Sequence, residues 1–477
     1  MGFQAINDLR FKRLALLVEN RGGRLYVIGG QARDTLMEEK LGKAPPSMHS
    51  GLGDKDLVCF GLDISALKEA FSILGPTWIV DHRVLLDRLK KDPVLVKVRL
   101  GESEFTVAIS RKRFQDQIVS EPGASLAEDA ACRDFTVNAV YYDPLLEVFF
   151  DPLNSDKDFR ARRLELCSPT ALIEDPARIL RAMSFLSRLS FIPGQKLLAA
   201  TARDWPLLAL LPPDRLWPEW RKWALSLWPR LGLEYLRQSG ALAFWPDLQA
   251  LIDSPQLFKF HPEGDVWNHT LLVVGAMAEL NIPVSLGRVF LTLTSLLHDI
   301  GKPKVTFIAT DGRVMTRGHA PAGLPLAKKF LASIKSPAHV AKAVLRLIER
   351  HMDLSFREPT TLNLKILARR LWPFCDLGHF WAITKADWQG RIPYPFDYPW
   401  TLEEFLEPVD GQRGPSPIPL EARELMAELD LPGGPMVGKL MALITEAFDK
   451  GEIFTGPEAL KLAAAALAKP EFKAANS

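Results

Sequence analysis

Asp54 and Asp56 stand one residue apart in Gly53-Asp54-Lys55-Asp56-Leu57-Val58-Cys59-Phe60, where the chain turns apolar. On a strand both carboxylates leave the same face, because side chains alternate sides with a period of two. Two acids held that close repel unless protonated or bridged by cations, so the pair favours divalent metal. Upstream, Tyr26-Val27-Ile28-Gly29-Gly30-Gln31-Ala32-Arg33-Asp34 reads as an apolar strand, a Gly-Gly turn and a helix. Such a turn lets backbone amides approach a phosphate at a helix N-terminus. Either piece alone is what an ordinary solvated turn looks like. In this order they point to metal-assisted transfer of a nucleotide.

Two further constellations carry chemistry. Glu174-Asp175-Pro176-Ala177-Arg178-Ile179-Leu180-Arg181 opens like a helix, with acids and a proline in its first turn. Asp175 and Arg178, three apart, then share a face. They read either as a routine intrahelical ion pair or as a base selector. A carboxylate accepts from the exocyclic amine of cytosine or adenine while a guanidinium donates to the neighbouring ring acceptors, so U and G are disfavoured. Further on, His298-Asp299 closes an apolar run and is followed by Ile300-Gly301-Lys302. Imidazole and carboxylate together suit a divalent ion with positions left open for water.

The elements that must position these groups follow from composition and pattern. A chain of 477 residues is too long for one core. Its 59 basic and 57 acidic residues leave a net charge of +2, so any nucleic-acid surface is local, as in Arg111-Lys112-Arg113 or Arg160-Ala161-Arg162-Arg163. The four cysteines form no Cys-x-x-Cys pair, which argues against a zinc ribbon or disulfide framework and for a reducing compartment. No basic-apolar leader opens the chain and no apolar run reaches membrane-spanning length; a soluble cytoplasmic protein with no membrane partner is expected. Strand-like runs at Leu25 to Ile28, Asp56 to Phe60, Leu95 to Leu100 and Val137 to Tyr142 define a mixed first unit. From about Ala171 the pattern is helical: Asp175 to Leu189, Pro218 to Leu227 and Leu233 to Ser239. Trp217, Trp220, Trp223 and Trp228 suit core packing better than base stacking. The fold expected is α+β: an α/β head at 1–160, an all-α neck at 161–250, a helical metal domain at 251–395 and a helical tail at 396–477.

The motifs Gly29-Gly30-Gln31-Ala32-Arg33-Asp34, Asp54-Lys55-Asp56, Arg133-Asp134-Phe135-Thr136-Val137-Asn138-Ala139 and Glu174-Asp175-x-x-Arg178 occur in the order found in class II tRNA nucleotidyltransferases. The chain therefore resembles the CCA-adding enzymes and the related bacterial poly(A) polymerases. The likeness continues through Leu211-Pro212-Pro213-Asp214-Arg215-Leu216-Trp217 and Gly240 to Pro246 to Leu431-Pro432-Gly433-Gly434-Pro435-Met436-Val437-Gly438. It implies that Asp54 and Asp56 are catalytic and hold two magnesium ions. It implies that Gly29, Gly30 and Arg33 meet phosphates, that Arg133, Asp134 and Asn138 line the triphosphate and ribose, that Asp175 and Arg178 read the base, and that Arg181 contacts the nucleotide. The partners implied are CTP, ATP and the 3′ end of tRNA or another RNA; oligomeric state is left open. His269, His298, Asp299 and Asp387 resemble the principal ligands of HD-domain phosphohydrolases, with His319 and His351 matching the extra histidines of fuller sites. That implies a divalent transition metal and a phosphohydrolase activity on RNA ends.

Departures from the pattern set further expectations. Nineteen residues separate Asp34 from Asp54, a longer link than usual, and Glu38 to Gly53 reads as a surface insertion. Thr106 stands where the family carries a third acid, unless Glu104 serves by a shifted register, and Cys132 and Ser184 replace arginines. Each loss removes charge from a nucleotide pocket, so altered efficiency or nucleotide preference is expected. The rival functions are an A-adding or poly(A) polymerase, an HD phosphohydrolase with a degenerate RNA-binding head, and a non-catalytic RNA-binding protein.

Overall fold

The computed structural model describes residues 6, 8–42, 55–74, 76–81, 94–115, 117–280, 282, 287–354, 358–392, 398–415 and 417–468. Asp54 and most of the Glu38–Gly53 insertion lie outside the described residues.

The head is built on a seven-stranded sheet whose described strands run β3-β4-β5-β2-β1-β8-β9. In chain order these are β1 (Arg24–Val27), β2 (Lys55–Phe60), β3 (Thr77–Asp81), β4 (Val94–Leu100) and β5 (Ser103–Ile109), a separate hairpin of β6 (Arg111–Phe114) and β7 (Gln117–Ser120), then β8 (Tyr141–Asp143) and β9 (Val148–Phe150). Alternation sorts the faces. Leu25, Val27, Leu57, Cys59, Phe105 and Val107 enter the main core, while Tyr26, Ile28, Val58, Phe60 and Tyr141 form a smaller cluster on the opposite face. β2 and β5 are parallel with Asp56 opposite Thr106, so Asp56, Thr106 and, two residues back, Glu104 share a face.

Val137 to Tyr142 is not one strand. Thr136–Asn138 is a 3-10 turn and β8 starts only at Tyr141. Polar ties pre-empt the ladder there: Asp134 Oδ1 accepts from Phe135 N at 2.8 Å and from Asn138 Nδ2 at 3.1 Å, and Thr136 Oγ1 donates to Asp158 at 2.8 Å.

Beyond the head the described chain is almost wholly helical. The Ala177–Leu189 helix is buried on nearly every side, between the head and the neck helices Trp217–Ala224 and Pro229–Gln238. Trp220 and Trp223 are fully buried, with ring centroids 5.2 Å apart, and Trp223 Nε1 donates to Pro229 O at 2.9 Å. These tryptophans are core. Head, neck and the first helices of the following helical domain share one continuous apolar core; a second lies deeper in that domain and a third in the tail. The basic runs are largely matched by acids: Lys112 by Glu121 at 3.1 Å, Arg160 by Asp156 at 2.7 Å, Arg163 by Asp158 at 2.8 Å, and Arg113 by Glu174.

Candidate nucleotide site and metal centre

Gly29 opens the Gly29–Leu41 helix at φ +69°, and a Cβ there would lie 3.1 Å from Asp56 Oδ2. Only glycine meets both conditions cheaply, so the helix N-terminus is pressed against the carboxylate. Ile28 N donates to Asp56 O at 3.0 Å and ties the turn to β2.

From this turn a chain of polar contacts crosses to the neck. Arg33 Nη1 donates to Asn138 Oδ1 at 2.9 Å, Asn138 Nδ2 donates to Asp134 Oδ1, and Arg181 Nε lies 2.8 Å from Asp134 Oδ2, close enough for an ion pair although not aligned for a hydrogen bond. Burial alone would raise the Asp134 carboxyl pKa; the charges of Arg181 and Arg178 overcome it and hold it below the usual range. The Arg181 pKa is raised, chiefly by Asp134 and also by the fields of Glu219, Asp175 and Asp56. Sequence-distant acids therefore converge on this one guanidinium.

Asp175 and Arg178 are placed differently from the expected helical pair. Asp175 is extended, at φ −150°, and the helix starts two residues later at Ala177. The Asp175 carboxylate accepts from Arg215 Nη2 at 3.1 Å. Arg178 donates from Nη2 to Cys132 O at 2.9 Å and from Nη1 to Ala171 O at 3.1 Å, with Glu174 at 3.4 Å. Arg133 donates to Asp129 Oδ2 at 2.9 and 2.7 Å and to Tyr141 Oη at 3.0 Å, in a buried cluster. The third-acid position is Thr106, while Glu104 is held by Lys97 Nζ at 2.5 Å.

Sequence reasoning missed Arg215 as the partner of Asp175, and missed Arg188. For Arg188 a signal existed, because 178, 181, 185 and 188 form one stripe on a helix. Ser184, off that stripe, donates to the buried Glu219 at 2.6 Å.

The second centre gathers side chains from five helices. His269 comes from Val266–Glu279, His298 and Asp299 from the end of Arg288–Leu297, His319 from the start of His319–Ser333, His351 from the end of Ala338–Arg350, and Asp387 from Leu377–Gln389. His298, His319 and His351 each turn Nδ1 onto a backbone carbonyl: Ser295 at 3.0 Å, Thr316 at 3.0 Å and Ile348 at 2.7 Å. A carbonyl only accepts, so Nδ1 carries the proton and Nε2 is left as a lone pair.

Those Nε2 atoms face inward. His269 Nε2 is 2.9 Å from Asp387 Oδ1, His298 Nε2 is 3.2 Å from Asp299 Oδ2, and His319 Nε2 is 3.3 Å from Asp299 Oδ1. His319 and His351 bring their Nε2 atoms to 3.1 Å of one another, and His298 Nε2 is buried without an aligned hydrogen-bond partner. Neutral imidazoles with lone pairs facing each other repel, whereas a cation among them is attracted to each. The donor set fits a divalent ion in two adjoining groups, His269–His298–Asp387 and Asp299–His319–His351. Burial pushes the His351 imidazole down to about 4, which keeps it neutral as a ligand must be. Lys302 Nζ sits 2.6 Å from Asp299 and Arg391 Nη2 2.6 Å from Asp387.

The fold and these two centres define a class: a nucleotidyltransferase head joined through a helical neck to an HD domain. Family models agree, with the Poly A polymerase head domain matching residues 25–165 and the HD domain residues 266–369. The Multifunctional CCA protein of Xanthomonas euvesicatoria pv. vesicatoria is 32% identical over 385 residues, covering 77% of this chain and 86% of its own length. That of Xanthomonas axonopodis pv. citri is 30% identical with the same coverage. The chain belongs to the class II tRNA nucleotidyltransferases, the family of CCA-adding enzymes and bacterial poly(A) polymerases, which works with divalent metal. In fold it is similar to the Bacillus stearothermophilus CCA-adding enzyme in complex with CTP, with a TM-score of 0.64 at 18% identity, covering 100% of this chain and 99% of that one. The Thermotoga maritima CCA-adding enzyme complexed with tRNA gives a TM-score of 0.54 at 17% identity, covering 96% and 94%. Among the described residues no helix is long and apolar enough to cross a membrane.

Proposed function

We propose that this enzyme adds C and A nucleotides to the 3′ end of tRNA from CTP and ATP, building or repairing the CCA end. The observation that carries this is the geometry of the site: Gly29 sets a helix N-terminus against Asp56, and from that turn Arg33, Asn138, Asp134 and Arg181 run to the neck as one chain of polar contacts. In the transfer, the oxygen of the RNA 3′-hydroxyl bonds to the α-phosphorus, the bond to the β-phosphate bridging oxygen breaks, pyrophosphate leaves and the hydroxyl proton is released. Asp54 and Asp56, oxygen donors suited to a hard cation, would hold magnesium, which when bound neutralises triphosphate charge and acidifies the hydroxyl. Gly29, Gly30 and Arg33 receive phosphate; Asp134, Asn138 and Arg181 hold the ribose and the triphosphate; Arg133 supports that loop from beneath. Asp175, kept in place by Arg215, and Arg178, kept in place by Cys132 O, present the acceptor and donor that C and A share.

The test is tRNA ending before CC, incubated with each labelled nucleotide. Ordered incorporation of two C and one A is expected, and Asp56→Ala should lower it by about 10²-fold or more. Long adenylate tails without CTP incorporation would replace this reading with poly(A) synthesis. No incorporation of any nucleotide would leave the HD domain as the only chemistry.

A second activity is proposed for the helical domain at about 251–395: hydrolysis of phosphate esters at RNA ends. His269, His298, Asp299, His319, His351 and Asp387 would hold a divalent transition ion, which when bound activates water. It is supported by the inward set of imidazole lone pairs and the orphaned His298 Nε2. Protein loaded with nickel or cobalt should hydrolyse a 2′,3′-cyclic nucleotide; inactivity with every divalent ion tried would sink it.

A further inference from the structure

Phe185 is surrounded by three guanidinium groups. The Cζ atoms of Arg33, Arg181 and Arg188 lie 5.2, 5.8 and 5.6 Å from its ring centroid. Two of these cations have carboxylate partners: Arg33 meets Asp34 at 2.6 Å and Arg181 meets Asp134 at 2.8 Å. Arg188 does not, since it makes no ion pair among the described residues and its ring contact with Phe185 is its one short-range interaction. It is only part-exposed. Burial and then the Arg33 charge lower its pKa, and the charges of Asp34 and Glu219 offset this only in part.

A part-buried cation set beside two others without a carboxylate of its own has favourable interactions left to make, and an anion is what supplies them. Its position says which anion. Arg188 ends the stripe that begins at Arg178, ten residues or about 15 Å along the same helix, and Arg33 ties that end of the stripe to the helix whose N-terminus abuts Asp56. A ligand with its base at Asp175 and Arg178 and its reacting phosphate at Asp56 brings phosphate groups toward this cluster.

Resting on the nucleotidyltransferase reading, we infer that Arg188 is a phosphate-binding residue of the transfer site, acting with Arg33 and Arg181 on a phosphate of the incoming triphosphate or of the RNA strand. Ser184, which lacks the charge expected there, is engaged with Glu219, and Arg188 one turn later supplies a cation on the ligand-facing stripe.

The experiment is steady-state CMP incorporation on tRNA lacking CCA by the full-length wild type, Arg188→Gln and Arg188→Lys, varying CTP and tRNA separately. The Gln variant should lose about 10- to 100-fold in kcat/KM, and Lys should recover part of that loss by keeping the charge. A rise confined to the KM for CTP assigns the triphosphate; a rise confined to the KM for tRNA, with a shallower salt dependence, assigns the RNA backbone. A Gln variant within twofold of wild type in both KM values and kcat overturns the inference. So does a Lys variant as impaired as Gln with both KM values unchanged, which is the pattern of a purely structural stack on Phe185. If Gln does not fold, Lys decides alone, because losing the bidentate fork raises one KM at a phosphate contact and neither at a stacking one. A wild type that incorporates nothing defeats the underlying reading and is distinguished by that.

Discussion

Arg178 donates to two carbonyl oxygens, so its guanidinium is oriented by the protein before any base arrives. Orientation is what separates a selector from a charge. Arg178→Lys keeps the charge but not the planar fork, and discrimination of CTP over UTP should fall by roughly 10- to 100-fold, the worth of one bidentate base contact; competition between the two nucleotides measures it. In the metal centre the comparable residue is Glu263, whose Oε1 lies 2.8 Å from both His261 Nδ1 and His269 Nδ1. A carboxylate behind an imidazole sets its tautomer and orientation; with His269 a metal ligand, as proposed, Glu263→Gln should weaken metal affinity by about 10- to 100-fold, read by titration of the metal-free protein with nickel. At this scale the sequence showed which residue types could do chemistry. It did not show their partners: Arg215 is forty positions from Asp175, and nothing in local spacing signals that contact.

The elements decide which of these residues can meet. The register of β2 against β5 sets Thr106 beside Asp56, and the Lys97 ammonium on β4 takes up Glu104. The departure seen in the sequence is therefore a departure in space as well. In the metal centre, the turn after His298-Asp299 is pressed against the next helix: a Cβ at Gly301 would lie 2.1 Å from His319 O and 2.5 Å from Gly323 N. Gly301→Ala must push the His319–Ser333 helix outward and carry His319 with it. Overpacking of this kind costs about 1–3 kcal/mol, and both the melting midpoint and the bound-metal content should drop. Long helices and buried strands were legible from their apolar periods, because burial of a face is a local property of sequence. The Val137 to Tyr142 segment was not, because the Asp134 side chain captures the Phe135 amide and Asn138 before a strand can form.

At the scale of the whole molecule, one apolar core runs from the head into the first HD helices, whereas the tail has a core of its own. The tail is tied back by Arg369, which donates to the buried Asp449 at 2.7 and 2.8 Å. Removing one partner strands the other charge, which costs about 3 kcal/mol in a buried pair. Arg369→Ala should therefore speed proteolysis within 420–468 while fragments spanning the head stay intact, as limited digestion and mass spectrometry would show.

The sequence by itself determined the order of the motifs, the change from mixed to helical structure near Ala171, and the residue types able to bind metal and phosphate, because each of these depends on composition and short-range spacing. Tertiary structure alone decided the pairings: Asp175 with Arg215, Arg133 with Asp129, Thr106 beside Asp56, and Arg188 beside Phe185 without a carboxylate among the described residues. The reason is physical. Whether a charged side chain is already neutralised or still open to a ligand depends on which groups lie within a few ångströms of it, and those groups come from other elements of the fold.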